Sequence, residues 1–152
     1  MRMLALLFAC CSMFACTAGE ASGPTANVSV AGFMGGTVTA TGTFTQSGTD
    51  VLLSVTLSGC VAGKTYNTHI HQGSDCTDTM TQGGHWDMTR GEGIPAIMCT
   101  GTTGTTFTTR SATPDVTAWS VGGNATTNVI GHVLVVHDPD MATTRIGCGL
   151  IN

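Results

Sequence analysis

Apolar and polar residues alternate along most of the chain after about residue 28. In residues 37–46 the apolar side chains and the threonines fall on opposite parities, and residues 51–59 repeat the pattern with valine and leucine. A period of two predicts strands that bury one face and expose the other. Residues 47–50, Ser-Gly-Thr-Asp, separate the two runs and predict a tight hairpin turn.

Further segments of the chain have the composition of strands, and none has a convincing helical period. The additional candidate strands are residues 66–71, 105–109, 116–121 and 129–137. Threonine-rich strands at short spacing, with Gly, Ser and Asp between them, indicate an all-β fold built as an antiparallel barrel or sandwich. Residues 77–105 lack the alternation, so we expect a long loop there, and long loops in compact domains usually carry function.

Composition narrows the classes of protein to which the chain can belong. The 152 residues suit a single domain, and 41% of them are hydrophobic while only 9% are charged. The formal net charge of −4 provides no basic patch, so neither nucleic acid nor an anionic lipid surface is expected as a partner on charge grounds. Ordinary apolar content with a small net charge also argues against intrinsic disorder.

Residues 1–15 have the pattern of a signal peptide. Arg2 provides a positive start, and the apolar stretch in residues 4–14 is too short to span a bilayer. No later segment reaches the roughly 18 continuous apolar residues of a transmembrane helix, so no internal one is expected. The sequence therefore predicts an exported chain, located in the periplasm or the cell envelope.

A second processing signal lies at the end of this leader. Residues 13–16, Met-Phe-Ala-Cys, resemble a bacterial lipobox, which would make Cys16 the lipidated first residue and attach the mature chain to a membrane. Ordinary cleavage in the small-residue segment near residues 18–21 is the alternative. We assign residues 16–27 to a tether and residues 28–152 to the folded domain.

Seven cysteines divide into two groups once export is taken into account. Three lie in the leader or at its anchor, and the four in the domain are Cys60, Cys76, Cys99 and Cys148. An even number in an exported domain predicts two disulfides, for which three pairings exist. Zinc ligation is the rival interpretation, but no two of the four have the short spacing of a zinc knuckle, which disfavours it.

Four of the five histidines have positions that suit a transition-metal site. His69 and His71 are two residues apart, which in an extended strand places both imidazoles on one face. His137 ends an apolar run and His85 lies in the long loop, whereas His132 has the opposite parity to His137 and is expected to be a strand or surface histidine. Imidazole suits copper, zinc, iron and nickel, and export without cysteine ligands favours copper or zinc.

Five short motifs, in this order, resemble those of the Cu/Zn superoxide dismutase family. They are Thr-His-Ile-His-Gln at 68–72, Asp-Cys at 75–76, Gly-Gly-His-Trp-Asp at 83–87, Ile-Gly-His-Val-Leu-Val-Val-His at 130–137 and Arg-Ile-Gly-Cys-Gly-Leu-Ile at 145–151. The resemblance extends from about residue 28 to the C-terminus, and five ordered motifs are more specific than any one alone. It implies an eight-stranded Greek-key β-barrel, which agrees with the alternation of apolar and polar residues.

The resemblance also implies roles for individual residues. The family's four copper ligands match His69, His71, His85 and His137, of which His85 corresponds to the one that bridges copper and zinc. Arg145 matches the active-site arginine that attracts superoxide. The implied reaction is the dismutation of superoxide to O₂ and H₂O₂, during which His85 leaves and rejoins the copper while it carries a proton.

A pairing of the cysteines follows from the same resemblance. Cys76 and Cys148 match the intrasubunit disulfide of the family, which ties the loop after the first two copper ligands to the last strand. That match leaves Cys60 and Cys99 for a second bridge, which the family pattern does not supply.

Two features depart from the family pattern. The loop after His85 contains no further histidine and only two carboxylates, Asp87 and Glu92, so a family-type zinc site cannot be built. His137 and Arg145 are only eight positions apart, where the family usually has a long charged loop. Both departures resemble the copper-only superoxide dismutases, so we expect copper as the cofactor and no zinc.

Without zinc, another group must orient His85. Glu92 and Asp87 are the candidates, and Glu92 is favoured because its longer side chain lies further along the loop. The competing function is a copper-binding or copper-delivery lipoprotein on the same fold, with little or no dismutase turnover. Superoxide is the expected small-molecule substrate in the first case, and the sequence marks no surface for oligomerisation.

Overall fold

The computed structural model describes residues 23–111 and 116–152. The expected signal peptide, Cys16 and most of the expected tether lie outside these ranges. Within them, no helix combines the length and the apolar character that crossing a bilayer would require.

Nine β-strands and two short helical segments make up the secondary structure of the described residues. The strands are β1 (Thr25–Gly32), β2 (Thr39–Ser47), β3 (Asp50–Ser58), β4 (Thr65–Tyr66), β5 (Thr68–His71), β6 (Ile97–Met98), β7 (Thr103–Ser111), β8 (Val133–His137) and β9 (Arg145–Leu150). The helical segments are α1 (Thr79–Gln82) and a 3₁₀ turn (Trp86–Met88). The first strand includes residues 25–27 of the expected tether.

Seven strands form one curled antiparallel sheet in the order β5-β8-β9-β1-β2-β3-β7, and β4 pairs with β6 in a separate two-stranded sheet. The last strand pairs with the first, and two neighbouring pairs that are distant in sequence, β3 with β7 and β5 with β8, give the sheet its crossovers. The curled sheet forms a half-barrel, which confirms the predicted all-β, antiparallel Greek-key architecture. The described residues contain nine strands rather than about eight, with seven in the main sheet and the two-residue strands β4 and β6 beside it.

The hairpin of β2 and β3 confirms the alternation and its turn. Ser47 pairs with Asp50 across a two-residue turn, and Gly48 in that turn has a φ of +55°, a conformation that favours glycine. Phe44 pairs with Leu53, and both side chains are fully buried, whereas the threonines of β2 remain exposed or half-exposed. One face of the hairpin therefore fills the barrel and the other meets solvent.

Two apolar clusters lie on opposite faces of the sheet. The barrel core contains mainly valine, leucine and isoleucine, with Phe44 and Trp119 meeting edge to face at a centroid distance of 5.6 Å. A smaller cluster, which we call the outer apolar cluster, lies on the other face of β8. Its members are Val133, Val135 and Cys148, with Phe33 and Cys76 packed against them.

The strand predicted at residues 116–121 is wrong. The indole N–H of Trp119 donates to the Arg90 carbonyl at 2.8 Å, and the Arg110 guanidinium lies 5.0 Å from the centre of the indole ring. No strand forms here, although Trp119 is fully buried. The Trp119 N–H donates to the Ser111 carbonyl at the end of β7 at 3.1 Å, and Ser120 forms only an isolated bridge with Asn128. Its buried apolar residues therefore enter the barrel from a loop. Composition alone does not distinguish a buried loop segment of this kind from a strand.

Other predicted boundaries shift. The strand expected at residues 129–137 begins at residue 133, after a turn in which Gly131 has a φ of +92°. The strand expected at residues 66–71 is divided into β4 and β5 at Asn67. The long loop expected at residues 77–105 contains α1, the 3₁₀ turn and β6, which are too short to show a period in the sequence.

Candidate metal centre

β5 carries the two histidines that are two residues apart. Ile70 between them belongs to the barrel core, so His69 and His71 project from the opposite face. The register with β8 places His69 opposite Val135 and His71 opposite Val133, the two valines of the outer apolar cluster. The sheet therefore presents both imidazoles on its outer face, as the spacing predicts.

His137 reaches the same face from the end of β8. A register shift falls between Val136 and His137, which then opposes Arg145 on β9. The backbone N–H of His137 donates to the Asn67 carbonyl at 2.9 Å, at the junction of β4 and β5. This hydrogen bond fixes the end of β8 beside the strand that carries the histidine pair.

His85 approaches from the loop that follows β5. This loop runs back along the open edge of the strand, where the N–H groups of Ile70 and Gln72 donate to loop carbonyls. The acceptors are Gly91 at 3.1 Å and Gly84 at 2.9 Å, and His85 forms an isolated β-bridge with the same strand. Backbone pairing therefore brings the third segment of the site into place.

The four histidines form a single cluster. One ring nitrogen of each lies within 4.8 Å of those of the others, and the set is His69, His71, His85 and His137. Nε2 of His71 and Nε2 of His137 are 3.4 Å apart, and the rings of His69 and His85 have centroids 4.2 Å apart. Within the described ranges, this is the group of histidine, cysteine and acidic side chains whose geometry could hold a metal ion.

Contacts around the cluster determine which ring nitrogens are available to a metal. Nδ1–H of His71 donates to the Gly83 carbonyl at 3.0 Å, which leaves Nε2 with a free lone pair. Nδ1 of His85 contacts Oε1 of Glu92, which leaves Nε2 of that ring for the same purpose. Nδ1 of His69 is buried and has no hydrogen-bond partner among the described residues, so a bound metal would satisfy it.

Burial keeps three of the four imidazoles, those of His69, His71 and His137, neutral. Desolvation lowers the pKa of His71 to about 3 and the pKa of His137 to about 4. Burial also lowers the pKa of His69, and the neighbouring His85 adds to the effect. At neutral pH the three rings therefore present lone pairs rather than protons, which is the state that metal binding requires.

Both predicted pairs of cysteines are disulfides in the structure. Cys76–Cys148 ties the loop after β5 to β9 and joins the outer apolar cluster. Cys60–Cys99 ties the end of β3 to the segment after β6. No thiolate of these four residues is left to bind a metal, so the donor set of the cluster consists of imidazoles, which fits copper.

Of the two loop carboxylates, the structure brings only Glu92 to the cluster. Its Oε1 contacts Nδ1 of His85, and its Oε2 lies 3.4 Å from Nε2 of His69. Asp87 is exposed and pairs with Arg90 instead. Glu92 is therefore placed to orient an imidazole of the cluster, whereas Asp87 is not.

Arg145, at the start of β9, is held by three neutral oxygen atoms. Nη1 donates to the Thr79 carbonyl at 2.8 Å and to Oε1 of Gln82 at 3.1 Å. Nη2 donates to the Gly83 carbonyl at 2.7 Å. Because this carbonyl also accepts from Nδ1 of His71, a single oxygen atom links the guanidinium to a histidine of the cluster.

The sequence correctly indicates the place of one further residue near the site, His132, and gives no indication of another, Gln82. His132 stays outside the cluster, as expected: its ring stacks on Trp86 at a centroid distance of 4.0 Å, and burial lowers its pKa. Gln82 contacts Arg145 and is fully buried, yet the sequence did not indicate it. Its position depends on a four-residue helix that is too short to leave a sequence signal.

Residues 34–151 match the family model described as copper/zinc superoxide dismutase (SODC). No curated protein matches the chain. The matched range contains all four histidines of the cluster, Arg145 and both disulfides. Members of this family bind copper and act on superoxide. A match over most of the chain, on a barrel of the expected architecture, means that the chain belongs to the copper/zinc superoxide dismutase family.

Proposed function

We propose that this protein is an exported superoxide dismutase that uses copper alone and converts superoxide to O₂ and H₂O₂. The contact between Glu92 and Nδ1 of His85 carries the proposal. In zinc-containing relatives the zinc orients this imidazole from its far nitrogen, and here a carboxylate lies at that nitrogen. The chain therefore supplies its own orienting group and needs no zinc for that task.

Two further features support the copper-only form. The loop after His85 contains no other histidine, and His132 lies outside the cluster. The connection between β8 and β9, residues 138–144, is a short turn rather than a long charged loop. The side chains of His69 and His85 keep exposed fractions of 18% and 25%, which lets a small anion reach them.

His85 and Glu92 form the proton-handling pair of the proposed mechanism. Copper, when bound, supplies the one-electron oxidation and reduction of superoxide. Nδ1 of His85 donates to Glu92, so Nε2 carries the lone pair that binds the metal or takes up a proton. When Nε2 is protonated, the carboxylate stabilises the imidazolium, and Nε2 then holds one of the two protons that the peroxide product requires.

Arg145 is the anion-attracting residue of the proposed mechanism. Its guanidinium is permanently charged, and the Gly83 carbonyl that it shares with His71 holds it beside the cluster. A positive charge next to a metal site opposes the binding of a metal cation. Its presence there favours turnover of an anionic substrate over simple storage or delivery of copper.

Metal content and activity of the purified domain test the proposal together. After incubation with both metals we expect one copper and no zinc per chain. We also expect superoxide removal that persists in an excess of chelator, which silences free copper. Zinc bound at one equivalent beside copper would refute the copper-only form. Copper at one equivalent without chelator-resistant activity would instead identify a copper-binding or copper-delivery protein.

We further propose that the chain acts in the periplasm or cell envelope and is attached through a lipid on Cys16. Two disulfides support an oxidising compartment. Cell fractionation and the mass of the mature N-terminus test this. We expect a lipid-modified chain in the membrane fraction and release of a Cys16→Ala variant. An unmodified chain that begins near residues 18–21 would show simple secretion.

A further inference from the structure

Gln82 is a buried polar residue that the proposed mechanism does not yet use. It is fully buried at the end of α1, and its Oε1 accepts a hydrogen bond from Nη1 of Arg145 at 3.1 Å. Its Nε2 is also buried and has no hydrogen-bond partner within residues 23–111 and 116–152. We propose that Gln82 is the positioning residue for Arg145, which it holds in the orientation that attracts the substrate anion. This inference rests on the function proposed above.

Stability does not explain a glutamine at this place. A buried amide group without a partner destabilises a fold, and an apolar side chain of similar volume, such as methionine, would avoid that loss. Only one of the two polar atoms of the Gln82 amide is satisfied, and its partner is Arg145. A glutamine at position 82 is therefore better explained by its hydrogen bond to Arg145 than by a need to fill space in the core.

Charge explains why the acceptor is an amide rather than a carboxylate. The guanidinium of Arg145 donates to the carbonyl oxygens of Thr79 and Gly83 and to the amide oxygen of Gln82. None of the ion pairs in the described part of the chain involves Arg145. A guanidinium held by neutral oxygens keeps its positive charge available to an incoming anion, whereas a glutamate at this position would cancel much of it.

The backbone around Gln82 gives its side chain a fixed base. Asp78 caps α1, because its carboxylate accepts from the N–H groups of Met80 and Thr81 at 2.8 Å each. The N–H of Gly73 donates to the Gln82 carbonyl at 3.0 Å, and a Cβ at Gly73 would collide with the Thr81 carbonyl. α1 therefore lies directly on the neighbouring backbone, and the side chain of Gln82 has little freedom to leave its acceptor position.

Two substitutions at Gln82 separate orientation from charge. Gln82→Met removes the acceptor and keeps a similar volume, whereas Gln82→Glu keeps an acceptor and adds a negative charge. Gln46→Met is the matched control, because Oε1 of Gln46 accepts from the Val121 N–H at 2.9 Å in a contact that involves no histidine of the cluster.

The first measurement uses the metal-free protein. In ¹H–¹⁵N NMR spectra we expect the guanidinium protons of Arg145 to exchange slowly with solvent in the wild type and in Gln82→Glu. In Gln82→Met they should exchange at least about threefold faster, because an acceptor is lost. Gln82→Met should match or exceed the wild-type thermal stability. Gln46→Met should lower the thermal stability without altering the exchange of Arg145.

The second measurement is the affinity of the copper-loaded protein for azide, an anionic probe that is followed by visible absorption. We expect the azide Kd to rise about threefold to tenfold in Gln82→Met. It should rise by more than about tenfold in Gln82→Glu, since the added carboxylate opposes the guanidinium. Gln46→Met should leave the Kd unchanged.

Unchanged exchange of Arg145 together with unchanged azide affinity in Gln82→Met would overturn the proposal, as would wild-type azide affinity in Gln82→Glu. If Gln82→Met fails to fold, the Gln82→Glu measurement decides alone. The exchange rates do not depend on copper. A wild-type protein without chelator-resistant activity would therefore refute the proposed function, while the exchange rates would still decide the role of Gln82.

Discussion

The two halves of the curled sheet are built in different ways. In the hairpin half, β2 and β3, buried and exposed residues alternate along strands of nine residues each. In the site half, which consists of β5, β8 and β9, the central strand β8 has five residues and is buried on both faces. The hairpin half therefore follows a local pattern, whereas the site half depends on segments that are distant in the chain.

Hydrogen bonding shows the same contrast. The register between β2 and β3 is unbroken from Ser47 to Thr39, whereas the register between β8 and β9 shifts just before His137. β5 is completed on its open edge by loop backbone rather than by a strand. An unbroken ladder alone could not bring side chains from two strands and a loop to one point, so the irregularities lie where the candidate site is.

The largest effect is expected from His71→Ala, which removes one imidazole of the site half. We expect tight copper binding to be lost and chelator-resistant dismutase activity to fall by more than about 100-fold. Copper stoichiometry after dialysis and superoxide removal measure the two effects. His132→Phe is the control, since it keeps an aromatic ring beside Trp86 and should retain copper. Retained copper and activity in His71→Ala would contradict the ligand assignment.

Removing each disulfide in turn distinguishes an effect on the stability of the fold from an effect on the assembly of the copper site. The bridges close 72 and 39 residues of chain, so chain entropy predicts a similar loss of about 4 kcal/mol in the free energy of unfolding for either one. Only the double variant Cys76→Ser, Cys148→Ser should also weaken copper binding, because it releases the loop that carries His85. Urea denaturation and copper titration measure the two quantities. A wild-type copper affinity in the Cys76→Ser, Cys148→Ser variant would show that this bridge does not organise the site.

The metal-free protein should lose stability in acid through its site half. The pKa of His71 is lowered to about 3 and the pKa of His137 to about 4, so below pH about 6.5 the unfolded chain binds protons that the folded chain excludes. Above that pH both rings are neutral in the folded and the unfolded chain, so they cost no stability. As the pH falls toward about 4, only the unfolded chain takes up protons, and the free energy of unfolding declines. Tm measured across this range should show the decline. His71→Gln should flatten it, and an unchanged slope would assign the titration to other groups.

Glu92→Gln should have a smaller effect that is confined to proton handling. The amide keeps the reach of the side chain but removes the charge that stabilises a protonated His85. We expect copper to be retained, the rate to fall about threefold to tenfold, and the pH profile of the rate to change. Asp87→Asn, which disrupts only an exposed pair with Arg90, should alter neither. Identical rates and pH profiles in Glu92→Gln would exclude this role.

The smallest effect is expected on the solvent face of the hairpin half. The hydroxyls of Thr56 on β3 and Thr105 on β7 lie 3.0 Å apart in an exposed cross-strand pair. Thr56→Val should change the free energy of unfolding by less than about 0.5 kcal/mol and leave copper affinity unchanged. Chemical denaturation measures the change. A loss above about 1 kcal/mol would mean that this face contributes to stability more than surface pairs usually do.

The hairpin half could be predicted closely because each of its residues follows a local rule. The burial of Phe44 and Leu53 follows from parity, and their pairing follows from the turn between the strands. In the site half, the spacing of His69 and His71 predicts a shared face and nothing more. Their meeting with His85 depends on how the loop pairs with the edge of β5, and this pairing uses backbone groups that every residue has.

Two residues show where local patterns fail. The residues around Trp119 have a composition typical of strands, yet its ring enters the core from a loop. Gln82 reads as a polar loop residue, yet it is fully buried against Arg145, which is 63 positions away. In both cases tertiary contacts determine the environment of the side chain, and the neighbouring residues in the sequence do not indicate those contacts.

The loop that carries His85 has a consequence beyond the candidate site. β5 lies at one edge of the seven-stranded sheet, and this loop occupies backbone N–H groups along that edge. An uncovered edge strand is a template for pairing with a second chain. We expect molecules in which the loop detaches, after loss of metal or reduction of Cys76–Cys148, to expose this template and to aggregate through the edge that carries the histidine cluster.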